Sequence, residues 1–421
     1  MKLPNLYLIT QEIQTPKVQN VIETLHKKLD EFGLSSKLVV GQKVAITAGS
    51  RGIQDMPMIL KELVTCFNAL GAKPLIVPAM GSHGGANAAG QTDVLRHLGV
   101  EEKTVGAPIV SSMEVMEVGR MRDGVPVMVG RDFAQADHVV VVNRIKSHTD
   151  FKGEIESGLL KMMMIGMGKH MGAQLAHKAI IHRGFQRVVL EWGEILLKKL
   201  PILMGIGIVE NYYHETAYLE VIEPDQFISE EKRLLNEAKR IIGRVPFEKV
   251  DLLIVDEMGK NISGTGMDTN VIGRIMHIAT PEPMTRQFKR VFVRDLTKES
   301  YGNAVGIGLA DFTTERLISK IDREVTRINC ITGTTPEKGR VPIIYENDKD
   351  AIIDGLHNAG VFHFKEARLI WVKNTLQIRY LKVSEALLPE VRDNGELKIV
   401  EGPFVFPFDE EGNLLFGTFP E

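Results

Sequence analysis

The run Val139-Val140-Val141-Val142 limits most strongly what this chain can fold into. β-Branched side chains are stiff and favour extended backbone. Four in succession leave no polar residue for a solvent face, so the strand Asp137 to Val142 must be buried on both sides. A strand covered on both faces belongs to a sheet flanked by helices, and the neighbouring sequence provides them. Apolar residues at helical spacing run from Pro16 to Phe32 and stop at Gly33. Val44 to Thr47 reads as a strand, Met56 to Leu70 as a helix closed by Gly71, and Pro74 to Val77 as a second strand. Helices are predicted at Gln91 to Leu98, Phe185 to Lys199 and Glu230 to Ile242, with a strand at Ile202 to Val209. This strand–loop–helix alternation predicts an α/β fold.

A chain of 421 residues is too long for one ordinary core and implies two domains. Gly243-Arg244-Val245-Pro246 is the expected crossing, and Val250 to Val255 opens a second α/β unit. Strands are predicted there at Arg290 to Val293 and Arg368 to Val372, and helices at Asp311 to Lys320 and Asp348 to His357. The Pro-, Gly- and Phe-rich tail from Gly402 to Glu421 is expected to pack back on the first domain. The expected organisation is thus a catalytic and cofactor domain from residues 1–245 plus about 370–421. A second domain, 246–369, closes over it. Each has a mainly parallel sheet flanked by helices, with the active site in the cleft between them.

Composition narrows the function classes. Charged residues are 25% and hydrophobic ones 44%, as in ordinary globular proteins. A net charge of −3 argues against a nucleic-acid partner. The two cysteines, Cys66 and Cys330, sit far apart among apolar neighbours and read as buried thiols, not as a disulfide or a CxxC metal site. Met1-Lys2-Leu3-Pro4 lacks a signal h-region, and no apolar run approaches about 18 residues. A cytoplasmic protein without a membrane partner is the expectation.

Residues suited to chemistry follow the strand ends. Arg51 comes after Val44 to Thr47, His83 after Pro74 to Val77, and His148 after Val139 to Val142. In open α/β sheets the ligand crevice lies outside the carboxyl ends of the strands, so these residues can converge. Five of the twelve histidines fall between His138 and His182. A lone histidine is usually a core or surface residue, but clustering favours acid/base or metal chemistry. Lys161 is embedded in Leu159-Leu160-Lys161-Met162-Met163-Met164. Desolvation would lower its pKa and make it a nucleophile or covalent anchor, unless it snorkels from a helix. Gly166, Gly168 and Gly172 are expected to interrupt any single helix, which puts Lys161 and His177 on separate elements. Arg51 suits a carboxylate, or a loop ion pair. Lys260, in the glycine-rich loop Lys260 to Arg274, is a candidate for a substrate carboxylate or cofactor phosphate.

These residues resemble the nickel-dependent lactate racemase family. Arg51 and Gly81-Ser82-His83 match its first elements. His148, Ser157-Gly158-Leu159-Leu160-Lys161 and His177, sixteen positions after Lys161, match the rest. The resemblance spans about residues 40 to 180. It implies that Lys161 carries a nickel-pincer nucleotide through a thioamide, with Ser157 and Gly158 in the same cofactor-binding element and His177 as the nickel ligand. It implies His83 and His148 as the acid/base pair on opposite faces of a 2-hydroxy acid, Arg51 as the substrate anchor, and cofactor-synthesis proteins as maturation partners. A homodimer is compatible with it. The chain departs from the family pattern at Ala48-Gly49-Ser50-Arg51, where Asp-x-Thr-Arg is usual, and at Leu159, where glycine is usual. It therefore reads as a divergent member acting on lactate, malate or a sugar acid. Two other readings stay open on the residues alone: a zinc- or iron-dependent lyase or hydrolase using His83, His148, His170 and His177, and a non-catalytic binder of a carboxylate metabolite.

Overall fold

A computed structural model describes residues 2–284 and 287–420 and divides the chain into two compact units. One is Thr15–Ile242; the other joins Met1–Gln14 to Gly243–Glu421. The first strand, β1 (Leu6–Gln11), belongs to the second of these.

In the Thr15–Ile242 unit a five-stranded sheet contains β2 (Lys43–Ala48), β3 (Lys73–Pro78), β6 (His138–Arg144), β7 (Ile202–Glu210) and β8 (Thr216–Ile222). Between β3 and β6 lies a separate antiparallel hairpin, β4 (Val115–Arg120) and β5 (Pro126–Gly130). The sheet order is β3-β2-β6-β7-β8, parallel except for the final pair. The valines of β6 are fully buried, as a strand covered on both faces requires. Helices α1 (Val21–Glu31), α2 (Met56–Ala69), α3 (Ala88–His97), α4 (Lys169–Arg183), α5 (Phe185–Lys199) and α6 (Phe227–Ile241) belong to this unit. Asn20 starts α1 by accepting from the Glu23 N–H at 3.1 Å, and Asn87 starts α3 by accepting from Gly90 at 2.8 Å. Leu25, Leu29, Leu60, Leu63 and Phe67 join Val44, Ile46, Val140 and Ile206 in one core, so α1 and α2 cover a single sheet face.

The other unit has an eight-stranded sheet. It contains β9 (Val250–Met258), β10 (Phe288–Leu296), β11 (Phe312–Thr314), β12 (Ile343–Tyr345), β13 (Leu369–Val372), β14 (Tyr380–Ser384) and β15 (Leu397–Phe404), besides β1. The order is β12-β11-β10-β9-β13-β14-β1-β15. The first five strands are parallel and the last three alternate. Helix α7 (Asp348–Asn358) packs through Ala351, Ile352 and Leu356 on Leu252, Ile254 and Phe312.

The tail corrects the expected division of the chain. The sequence places about 370–421 in the first domain, yet β13 pairs with β9, and β14 and β15 pair with β1. Phe406 and Leu414 sit in the core that contains Leu252 and Trp371. Backbone pairing and apolar burial both tie the tail to the 243–421 segment. The predicted helix at Asp311 to Lys320 is instead β11 followed by the short turn Glu315–Ile318. Thr313 and Thr314 are β-branched, and their hydroxyls donate to the Val293 and Arg294 carbonyls of β10, at 3.0 and 2.7 Å. Among the described residues no helix is long and apolar enough to cross a membrane.

Candidate active site

Strands β3, β2 and β6 are neighbours and parallel, so their carboxyl ends share one edge of the sheet. The loop Gly49-Ser50-Arg51 leaves β2, the loop Ala79 to His83 leaves β3, and the segment to His148 leaves β6. The first two loops are joined directly, because Ser50 Oγ is hydrogen-bonded to His83 Nδ1.

His148 is held on three sides. Its N–H donates to Glu156 Oε2 at 2.8 Å, and its Nδ1 accepts from the N–H groups of Asp150 and Phe151 at 2.9 and 3.2 Å. A nitrogen that accepts two N–H bonds carries no proton, so the neutral ring holds its hydrogen on Nε2. That Nε2 lies 2.7 Å from Lys161 Nζ. Only a neutral amine can accept from it; an ammonium would set donor against donor. Electrostatics act in the same direction. Burial first, then Arg51, push the Lys161 pKa down to about 8, with Lys146 adding to the effect and Asp150 opposing it. Arg51 itself is pushed down to about 10, by burial and then by Arg144. The crowding of cations at one strand edge suits an anionic ligand.

Lys161 ends a short helical turn, Leu159–Lys161, that continues as a π-helical turn, Met162–Gly166. Such turns recur at functional sites because they re-aim side chains within a helix. A Cβ at Gly166 would stand 2.5 Å from Met162 Sδ and 2.6 Å from the Ala79 carbonyl oxygen, so only glycine lets the β3 loop approach. The helix then breaks, and α4 starts at Lys169, whose φ of 54° is left-handed. The Lys169 ammonium is fully buried and donates to the Pro78 carbonyl at 2.7 Å, which ties the start of α4 to the end of β3. Lys161 and His177 therefore occupy separate elements, although Gly172 does not interrupt α4. Phe151 bridges toward His177: its ring stacks on His148 at 4.7 Å and lies 6.4 Å from the His177 ring.

Ser157 is fixed through its backbone, paired with Lys146 by bonds of 2.9 and 3.2 Å, and the Gly158 carbonyl accepts from Asn143 at 2.8 Å. A Cβ on Gly158 would meet Glu231 Oε1 at 2.4 Å. Glu231, on α6, is fully buried and accepts from the Leu160 N–H at 2.9 Å. Burial raises its pKa to about 7, against the lowering effect of the Leu160 and Leu159 N–H groups. It thus caps the turn that carries Lys161.

Lys260 lies in the other unit. Its ammonium donates to the Gly264 carbonyl at 2.5 Å and to Asn329 Oδ1 at 3.0 Å, which holds its own loop in shape. His138 is at the opposite, amino end of β6, hydrogen-bonded to Gln42 at 3.0 Å. Among the described residues, no three of His83, His148, His170 and His177 bring donor atoms within 4.8 Å of one another. Sequence reasoning missed Ser50, Phe151, Lys169 and Glu231. Ser50 adjoins Arg51 and could have been suspected; nothing local distinguishes Glu231 from other acidic residues of an amphipathic helix.

Residues 7–187 match the family model of the lactate racemase N-terminal domain. That segment is similar to the lactate racemase N-terminal domain. It contains most of β1, the β3-β2-β6 edge, and Arg51, His83, His148, Lys161 and His177. Two solved structures align with about two thirds of the chain. One is a protein from Thermotoga maritima, 13% identical over 67% of this chain and 72% of that chain, with a TM-score of 0.49. The other is the lactate racemase apoprotein from Thermoanaerobacterium thermosaccharolyticum, 12% identical over 67% of this chain and 69% of that chain, with a TM-score of 0.43. No curated protein matches the chain.

Proposed function

We propose that this protein is a racemase or epimerase of a 2-hydroxy acid of the lactate, malate or sugar-acid type, using a nickel-pincer nucleotide carried on Lys161. The observation that carries this reading is the 2.7 Å contact between His148 Nε2 and Lys161 Nζ, which calls for a neutral, nucleophilic amine. The surroundings fit the group. Lys161 would hold it covalently, His177 would bind the metal as an imidazole ligand suited to nickel, and the cations Arg51 and Lys146 suit its phosphate and the substrate carboxylate. When bound, the group supplies a reversible two-electron acceptor for C2 of the substrate.

The chain's own residues handle binding and protons. Arg51 grips the carboxylate with its guanidinium fork. Once Lys161 carries its group, the Nε2–H of His148 is the proton available to a substrate oxygen. If His83 donates its Nδ1–H to Ser50, its Nε2 is the basic nitrogen and takes the hydroxyl proton. Inversion needs an acid and a base that exchange roles between the two faces, and two histidines on different loops meet that need.

The test is co-expression with a cofactor-synthesis pathway, followed by intact-mass and peptide mapping. An adduct on Lys161 that carries nickel, with racemisation of at least one 2-hydroxy acid and loss of both in Lys161→Ala, is the expected outcome. An unmodified Lys161 under those conditions overturns the cofactor assignment.

A further inference from the structure

We infer that His26, Glu62 and Cys66 form a second metal site, one that takes a borderline-soft divalent cation such as zinc and clamps α1 to α2. The three residues offer one imidazole nitrogen, one carboxylate oxygen and one thiol sulfur, all within 4.8 Å of one another. Glu62 and Cys66 stand one turn apart on α2, at i and i+4, so both project from one face. His26 reaches them from α1, with its Nε2 2.8 Å from Glu62 Oε1.

The chemistry of the set selects the cation. Nitrogen, sulfur and oxygen donors together are those of zinc, whereas calcium and magnesium take oxygen alone. With bonds of roughly 2.0–2.3 Å, tetrahedral zinc places its donors about 3.5 Å apart, so small side-chain rotations close the shell. Three protein ligands leave a fourth position for water. His26 and Glu62 are 48% and 19% exposed, so an ion can reach the site from solvent. The strand-end residues lie elsewhere and share no ligand with it. The inference therefore stands whether or not the racemase reading holds.

The site gives α1 and α2 a shared cross-link on the face of the sheet they cover. Cobalt(II) is the probe, because a thiolate ligand produces a charge-transfer band that imidazoles and carboxylates do not. The full chain, stripped by chelator, is titrated with cobalt(II) and then with zinc(II). We expect the band at one equivalent and its displacement by zinc. Cys330→Ser should retain it and Cys66→Ser abolish it. His26→Ala should weaken binding by at least ~10-fold, the lower bound for disturbing a ligand shell. Alkylation of Cys66 by iodoacetamide gives a second readout that needs no substitution, and zinc should slow it. The inference is overturned by a missing cobalt band, by a band that survives Cys66→Ser, or by alkylation that zinc leaves unchanged.

Discussion

Lys161 and His148 set each other's protonation. Two backbone N–H groups fix the His148 tautomer, and burial beside Arg51 disfavours the lysine charge. The rate at which an acylating reagent modifies Lys161 should therefore titrate with a midpoint of about 8. A midpoint near ~10.4, the value of an unperturbed lysine, would refute this. The sign for stability follows. Lys161 loses its proton more easily folded than unfolded, so its ionisation opposes folding below about 8. That cost fades as pH rises toward the unfolded value. Arg51 permits a separate test. Lysine keeps the charge but loses the fork, so Arg51→Lys should raise KM for the 2-hydroxy acid about 10-fold or more, with a smaller effect on kcat. A KM within twofold of wild type would remove Arg51 from substrate binding.

The turn Leu159–Lys161 is too short to hold its own shape, so its neighbours hold it. Glu231 caps it from α6 while raised to about 7. A raised carboxyl pKa means the folded state keeps its proton where the unfolded chain has lost it. The stability from this proton is complete below the unfolded value of about 4.3 and fades as pH rises through about 7. Glu231→Gln should therefore show a higher Tm than wild type at pH 8 and no advantage at pH 4, whereas Glu231→Ala should lose about 1–3 kcal/mol by stranding buried N–H groups. Thermal melts at both pH values check this; equal Tm differences for Gln at the two values would contradict it. Helix α4 shows where local reading reached its limit. Gly166 and Gly168 do precede a break, as their spacing suggested. Gly172 serves packing instead: a Cβ there would come 3.3 Å from the Met128 carbonyl oxygen of β5. Glycine as breaker and glycine as close-packing residue look alike in one sequence.

At the scale of the molecule, two sheets have separate supports. The 243–421 segment is organised around Arg294, which is fully buried and pairs with Asp256 and with Asp348 at 2.8 Å. It also stacks on Phe416 of the tail at 4.2 Å. Arg294→Ala would leave Asp256 with only the Trp371 N–H as its donor and Asp348 with Arg316 as its cation, at a cost of about 3–5 kcal/mol. It should lower the Tm while the Lys161 acylation midpoint in the Thr15–Ile242 unit stays at about 8. A shifted midpoint would show that the lysine depends on the other sheet. By itself the sequence determined the α/β class, the strands β2, β3, β6, β7, β9, β10 and β13, the helix Phe185–Lys199 to the residue, and the placement of Arg51, His83 and His148 after strand ends. Those features are written in apolar period and glycine punctuation, which are local. Only the tertiary structure decided that β1, β14 and β15 complete the second sheet, that Glu231 caps the Lys161 turn from some seventy residues away, and that His148 hands its hydrogen bond to Lys161. Pairing partners of edge strands and the environments of buried charges depend on residues brought together from distant positions, and no local pattern encodes that meeting.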